Sequence, residues 1–349
     1  MRNDWICWKQ VTNRGLTLAV CVALAVASGA RAQNASPRRE ASAPPPLEVS
    51  DEAGRRVSIP QPVRRIVSLA PSLTETLYAL SEQERLVGVS DYCDYPPEAQ
   101  TKPRVGGPIN PNLEQVVALK PDLVLVTRAI NRRETVAALE RLGIAAYATD
   151  PRSVEGLLGS IARLAEVIGA RKQGEAVVAG LRARLLELKQ RVGTRPPKRV
   201  LFIVWHEPLI SVGRETFLAD ALRWAGAESV VELAQDWPRL SLEEVVRLQP
   251  DYLVLASSHS DAAERKFQEL SDQPGWRDLT AVRLRHVAVI SDAVSRPAPR
   301  LLAAIEQLAR QLHPEVFAAQ PEAGDPKQET RPPEEFPLLA RQERAPCSR

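Results

Sequence analysis

Aromatic side chains are scarce in this chain, so their placement is informative. Of 349 residues only 6 are Trp, 5 Tyr and 5 Phe. Two of the tryptophans, Trp205 and Trp237, and two of the tyrosines, Tyr92 and Tyr95, fall in loops that follow hydrophobic, strand-like runs. Exposed rings at such positions stack on flat, largely apolar molecules. The same set of loops carries polar groups: Arg128 after the run ending at Thr127, His206-Glu207 beside Trp205, Asp292 after Ser291, and Arg296 shortly beyond. Arg128, Arg214 and Arg296 would suit an anionic ligand through forked hydrogen bonds. His206 with Glu207 could ligate a metal or line a cleft, and the second reading fits better. A metal receptor needs more imidazole and carboxylate ligands near strand ends, and the chain has only 4 His, all far apart. Motifs for phosphate cradles, dinucleotide turns, nucleophile elbows and zinc hydrolases are missing. The residues point to capture rather than catalysis, with no metal and no cofactor expected.

Elements that would position these loops can be read from the pattern of apolar residues. Strands are predicted at Arg65–Ala70, Leu86–Ser90, Asp122–Thr127 and Ile144–Thr149. Helices are predicted between them, to Leu80 after a Ser72–Glu75 capping box, at Leu113–Leu119 and at Asn131–Leu142. This alternation implies a mostly parallel sheet with both faces covered. From Ser153 to Val192 the chain is almost wholly helix-forming, broken at Gly169. The second piece is long enough to join two lobes. After Pro196-Pro197 the alternation resumes, with strands at Arg199–Trp205, Asp251–Ala256 and Val287–Ser291, and helices at Thr216–Ala225 and Ala298–Leu312. Ligands of such folds bind where strand C-termini face a crevice, which is where the aromatic loops lie.

An internal repeat supports two similar lobes. Leu113-Glu-Gln-Val-Val-Ala-Leu-Lys-Pro-Asp122 matches Leu242-Glu-Glu-Val-Val-Arg-Leu-Gln-Pro-Asp251, and each copy runs into a hydrophobic strand. Each copy opens on a capping signal, Asn112 with Gln115 and Ser241 with Glu244. Glu114 and Glu243 have no part in that capping. Each could serve its own helix dipole or meet a partner.

Six segments carry a resemblance: RRIVSLAPSLTETLYAL (64–80), LVGVSDYCDYPPEAQ (86–100), NLEQVVALKPDLVLV (112–126), SVGRETFLADALRWAG (211–226), WPRLSLEEVVRLQPDYLV (237–254) and SRPAPRLLAAIEQLA (295–309). Together they resemble the periplasmic vitamin B12/iron-complex (class III) substrate-binding proteins of ABC importers, the cobalamin-binding branch above all. The likeness spans nearly all of residues 47–315. It implies two Rossmann-like lobes on one helical hinge, closing only modestly on a ligand. It also implies ligand contacts at Tyr92, Trp237 and Asp292, and docking of Glu114 and Glu243 on arginines of a permease dimer. Pro108 and Thr127 stand where the cobalamin branch has aromatic residues, which leaves a corrinoid, haem and an iron–siderophore complex open as ligands. An exported chelatase-like enzyme is the remote alternative.

Composition and the chain ends complete the expectation. A net charge of +3, with both signs mixed, argues against nucleic acid. Arg2, Lys9 and Arg14, the apolar run Leu16–Ala27 and Ala30-Arg31-Ala32 form a secretory signal cleaved after residue 32. Of four cysteines, Cys93 and Cys347 would remain in the mature chain, with no disulfide framework. The expected organisation is a signal at 1–32, a disordered linker at 33–46, an N-terminal lobe at 47–168, an interlobe helix at 169–197, a C-terminal lobe at 198–317 and a disordered tail at 318–349. The expected product is a monomeric periplasmic α/β receptor.

Overall fold

The computed structural model describes residues 44–256 and 260–317, without the side chains of 260–263 and Asp292. The expected signal, most of the linker, Cys347 and the tail lie outside the described residues. A short antiparallel hairpin, β1 (Leu47–Ser50) and β2 (Arg56–Ile59), opens the body. The first lobe follows as β3 (Ile66–Ser68), α1 (Pro71–Ala79), β4 (Leu86–Val89), α2 (Leu113–Ala118), β5 (Leu123–Thr127), α3 (Arg133–Arg141) and β6 (Ala146–Thr149). Its strands are parallel in the order β4-β3-β5-β6. All residues of β3, β5 and β6 are buried, as expected for a sheet covered on both faces.

Helices α4 (Val154–Val167) and α5 (Arg171–Val192) carry the chain to the second lobe. Between them Gly169 adopts φ +75°, and Ala170 donates back to the Ala165 carbonyl at 2.7 Å. This is the left-handed stop that glycine makes without strain. With 22 residues, α5 extends about 33 Å. Its buried stripe, Gly174, Val178, Leu181, Leu185, Leu188 and Val192, alternates steps of four and three and so keeps one face inward.

The second lobe comprises β7 (Lys198–Ile203), the hairpin β8 (Trp205–His206) and β9 (Leu209–Ile210), α6 (Phe217–Trp224), β10 (Ala227–Ser229), α7 (Leu242–Leu248), β11 (Tyr252–Ala256), α8 (Ser260–Ser271), α9 (Thr280–Arg283), β12 (Val287–Ile290), α10 (Leu301–Leu312) and α11 (Pro314–Phe317). Its parallel sheet runs β10-β7-β11-β12. Counted within each lobe, both sheets follow the order second, first, third, fourth. The repeat seen in the sequence is therefore a repeat of topology. One continuous apolar core links Ile66, Leu77 and Tyr147 of the first lobe, Leu164, Leu181 and Leu185 of α4 and α5, and Phe202, Leu222 and Ile305 of the second. Two smaller cores cover the outer faces.

Candidate functional site

Each copy of the repeat ends in a staple at the start of an internal strand. In the first lobe the Asp122 carboxylate accepts from the backbone N–H of Arg64 and Arg65 at 2.7 and 2.8 Å. The Arg65 guanidinium donates to the carbonyls of Leu119 and Lys120. In the second lobe Asp251 accepts from Arg199 N–H at 3.0 Å, and the Arg199 guanidinium donates to Leu248 and Gln249. Lys120 and Gln249 both turn the chain at positive φ, 47° and 43°. Each staple satisfies orphan carbonyls at a helix end and locks α2 or α7 to its sheet. Capping fixes the other ends. Asn112 accepts from Gln115 N–H, and Ser241 with Glu244 completes a capping box. The Ser241 backbone N–H holds the Glu244 carboxyl below its usual range. Glu114 and Glu243, in the first turns of these helices, are exposed and form no ion pair among the described residues.

At the opposite strand ends the predicted ligand loops are braced from within. Buried Asn131 donates to the carbonyls of Leu69 and Pro108 and accepts from Thr127 N–H, tying three loops of the first lobe together. Asp91 N–H donates to Gly106 at 3.0 Å, which carries the Tyr92 loop on the same brace. Arg104 adds bonds to the Ser90 and Cys93 carbonyls. Cys93 is buried beneath, against the hydroxyls of Thr74 and Ser90, and burial pushes its thiol up. Tyr92 itself projects outward, 65% exposed.

In the second lobe Trp205 pairs with Ile210, and Ile210 bridges to Arg239. Ser211 and Gly213 donate to Pro238 and Asp236. A Cβ on Gly213 would sit 1.8 Å from the Gln235 carbonyl oxygen, so only glycine lets the Trp237 loop lie this close. Trp205 and Trp237 therefore rise from one small, cross-linked patch, 54% and 50% exposed. The Trp205 indole N–H donates to the Glu207 carbonyl at 2.8 Å, and Lys266 lies 5.7 Å from its ring centre.

The residues that the sequence left unconnected are those that join the lobes. The predicted Ser72–Glu75 capping box does not form. Proline at the first helical position starts α1 at Pro71, after Ala70, which has no side chain to cap with. Glu75 is thus carried into the second turn, where its side chain is only 2% exposed. Its carboxylate takes a two-point contact from Arg300, the residue before α10, at 2.9 and 3.1 Å, and a longer one from Arg296 at 3.5 Å. Arg296 in turn donates to both oxygens of Asp94, at 2.5 and 3.2 Å. That hydrogen bond, aided by the arginine charges, holds the Asp94 carboxyl below its usual range. Arg300 also stacks over Tyr95, 4.1 Å from the ring centre. Two acids and a tyrosine from the first lobe therefore interlock with two arginines from the second.

The other predicted arginines are likewise paired: Arg128 donates to Asp150 at 3.2 Å, and Arg214 meets Glu215 at 3.5 Å. The Asp292 side chain lies outside the described residues. Buried Nδ1 of His206 has no hydrogen-bond partner among the described residues. Among the described residues no group of three or more His, Cys, Asp or Glu could hold a metal ion, and no helix is long and apolar enough to cross a membrane.

Comparison with known proteins agrees with this architecture. The vitamin B12-binding protein of Vibrio parahaemolyticus is 30% identical over 251 residues, 70% of this chain and 88% of that protein. The crystal structure of the periplasmic vitamin B12 binding protein BtuF of Vibrio cholerae superposes with a TM-score of 0.63 at 28% identity, covering 74% of this chain and 99% of that one. The periplasmic heme-binding protein BhuT, in complex with two hemes, superposes with a TM-score of 0.65 at 27% identity, covering 72% and 98%. The sequence pattern of the family described as periplasmic binding protein matches residues 66–294. By that match and by its paired α/β lobes, this chain belongs to the periplasmic binding protein family.

Proposed function

We propose that this chain is the non-enzymatic receptor of an ABC importer, exported through the signal at residues 1–32, that captures a corrinoid between its lobes. The observation that carries this reading is the set Tyr92, Trp205 and Trp237: three rings at least half-exposed on braced loops at strand C-termini, in a chain otherwise poor in aromatics. Exposed large rings held on rigid loops suit a broad, flat ligand. The likeness to vitamin B12-binding proteins supports the same ligand. Charge pairing supports it further. Arg128, Arg214 and Arg296, the groups suited to haem propionates or an anionic siderophore, each already face an acid of the chain. A corrin bearing neutral amides needs hydrogen-bond partners and no spare cation. Glu114 and Glu243, at matching places on the two lobes, would meet arginines on a two-fold permease. The test is an absorbance spectrum of protein incubated separately with cyanocobalamin, haem and ferric siderophores, then desalted. Retention of roughly one corrinoid per chain is expected. Retention of haem or a siderophore alone would overturn the corrinoid assignment.

A further inference from the structure

We infer that Asp94 is a specificity residue of the cleft, a built-in counter-ion that holds Arg296 and so disfavours ligands bearing an anionic group there. The inference rests on the proposed binding of a corrinoid between the lobes and names what selects among ligands at that site. Asp94 lies two residues after Tyr92, on the same loop. Arg296 lies on the loop that follows β12, at the facing strand end. Of the two acids around the arginines, Glu75 is fixed: it is 2% exposed and gripped at two points by Arg300. Asp94 is 58% exposed, and among the described residues its ion pair is with Arg296. An incoming carboxylate or phosphate could displace Asp94 without opening the buried Glu75 pair. It would then leave the Asp94 charge beside its own around one arginine, and like charges so placed repel. A ligand that presents amide groups does not meet this penalty. Among the described residues the cluster holds two acids and two arginines. Removing the Asp94 charge shifts the cluster by one unit toward positive while Glu75 keeps its contacts with both arginines.

The experiment compares wild type with Asp94→Asn and Asp94→Glu by titration calorimetry. The probes are cyanocobalamin, its derivative with one peripheral amide hydrolysed to a carboxylate, and haem. The readout is the affinity ratio of the carboxylate-bearing corrinoid to cyanocobalamin. In Asp94→Asn that ratio rises roughly five- to tenfold at low salt, and the gain shrinks in high salt, as for a partly exposed charge. Asp94→Glu restores the wild-type ratio. A ratio unchanged within about twofold in Asp94→Asn, or an equal change in Asp94→Glu, overturns the inference. Wild type that binds haem and no corrinoid would refute the corrinoid reading but not this one, which then stands or falls on whether Asp94→Asn tightens haem. Wild type that binds none of the three removes the site, and the inference with it.

Discussion

Replacing Glu75 with Gln should destabilise the protein far more than a single isosteric change on an exposed helix. The substitution keeps the volume and one carbonyl acceptor, so no cavity forms, and the loss is that of the charge. Removing one partner of a buried ion pair costs about 3–5 kcal/mol, because the other charge stays in a poor solvent. Here the stranded groups are Arg296 and Arg300, whose side chains are 21% and 25% exposed. They regain some water, and Arg296 keeps Asp94. The expected loss is therefore smaller, about 2–3 kcal/mol. For a folded body of this size each kcal/mol corresponds to about 2 °C, so Tm should fall by roughly 4–6 °C. Arg300→Gln and the double variant complete a cycle, whose coupling energy should be about 1.5–3 kcal/mol. Because Glu75 is buried, much of the difference should persist in 1 M salt. A Tm change under about 1 °C, with coupling below about 0.3 kcal/mol, would show that the clamp adds little to what already holds the lobes together.

Two further predictions address the two faces of the molecule. Trp237→Ala should weaken corrinoid binding by roughly 1–3 kcal/mol through lost stacking and burial; calorimetry giving an unchanged Kd would remove Trp237 from the site. Glu114→Ala and Glu243→Ala should each lower uptake through the cognate importer, the double variant most, with ligand Kd and Tm nearly constant. Normal uptake by the double variant in a reconstituted transport assay would refute docking through these carboxylates.

Strands, lobes and the repeat were legible because they rest on local patterns. Val124, Leu125 and Val126, or Leu253, Val254 and Leu255, are buried on both faces, and a strand buried on both faces reads as an unbroken apolar run. The pairs β1–β2 and β8–β9 were not legible: β8 and β9 have two residues each, and the alternation of β1 and β2 rests on two apolar residues per strand, Leu47 and Val49, Val57 and Ile59. The Ser72–Glu75 spacing misled for a local reason, the proline one residue earlier. Cross-lobe partners were hidden for a different one. Glu75 and Arg300 lie 225 residues apart, and no periodicity in a single sequence records such a distance. Asn131 was similarly hidden, read as the first residue of a helix when its amide in fact braces three loops. A polar residue at a strand's end, just before a helix, is the one signal that could have singled it out.

The matched staples bear on the proposed docking through Glu114 and Glu243. A charge in the first turn of a short helix is useful for docking only if the helix cannot rotate or slide on its sheet. Asp122 with Arg65, and Asp251 with Arg199, fix the far ends of α2 and α7 by the same set of bonds. The caps at Asn112 and Ser241 fix the near ends. Each glutamate is therefore held in the same register relative to its own strand. The relation between the lobes is restrained in turn by the continuous core along α4 and α5 and by the Glu75–Arg300 clamp. A weakened clamp should then act at a distance. Glu75→Gln leaves both staples intact, so it should lower transport through a change in the spacing of the two carboxylates, while Glu114→Ala removes one carboxylate with the spacing unchanged. The two effects part in the melting temperature: Glu75→Gln lowers it together with transport, whereas Glu114→Ala lowers transport alone.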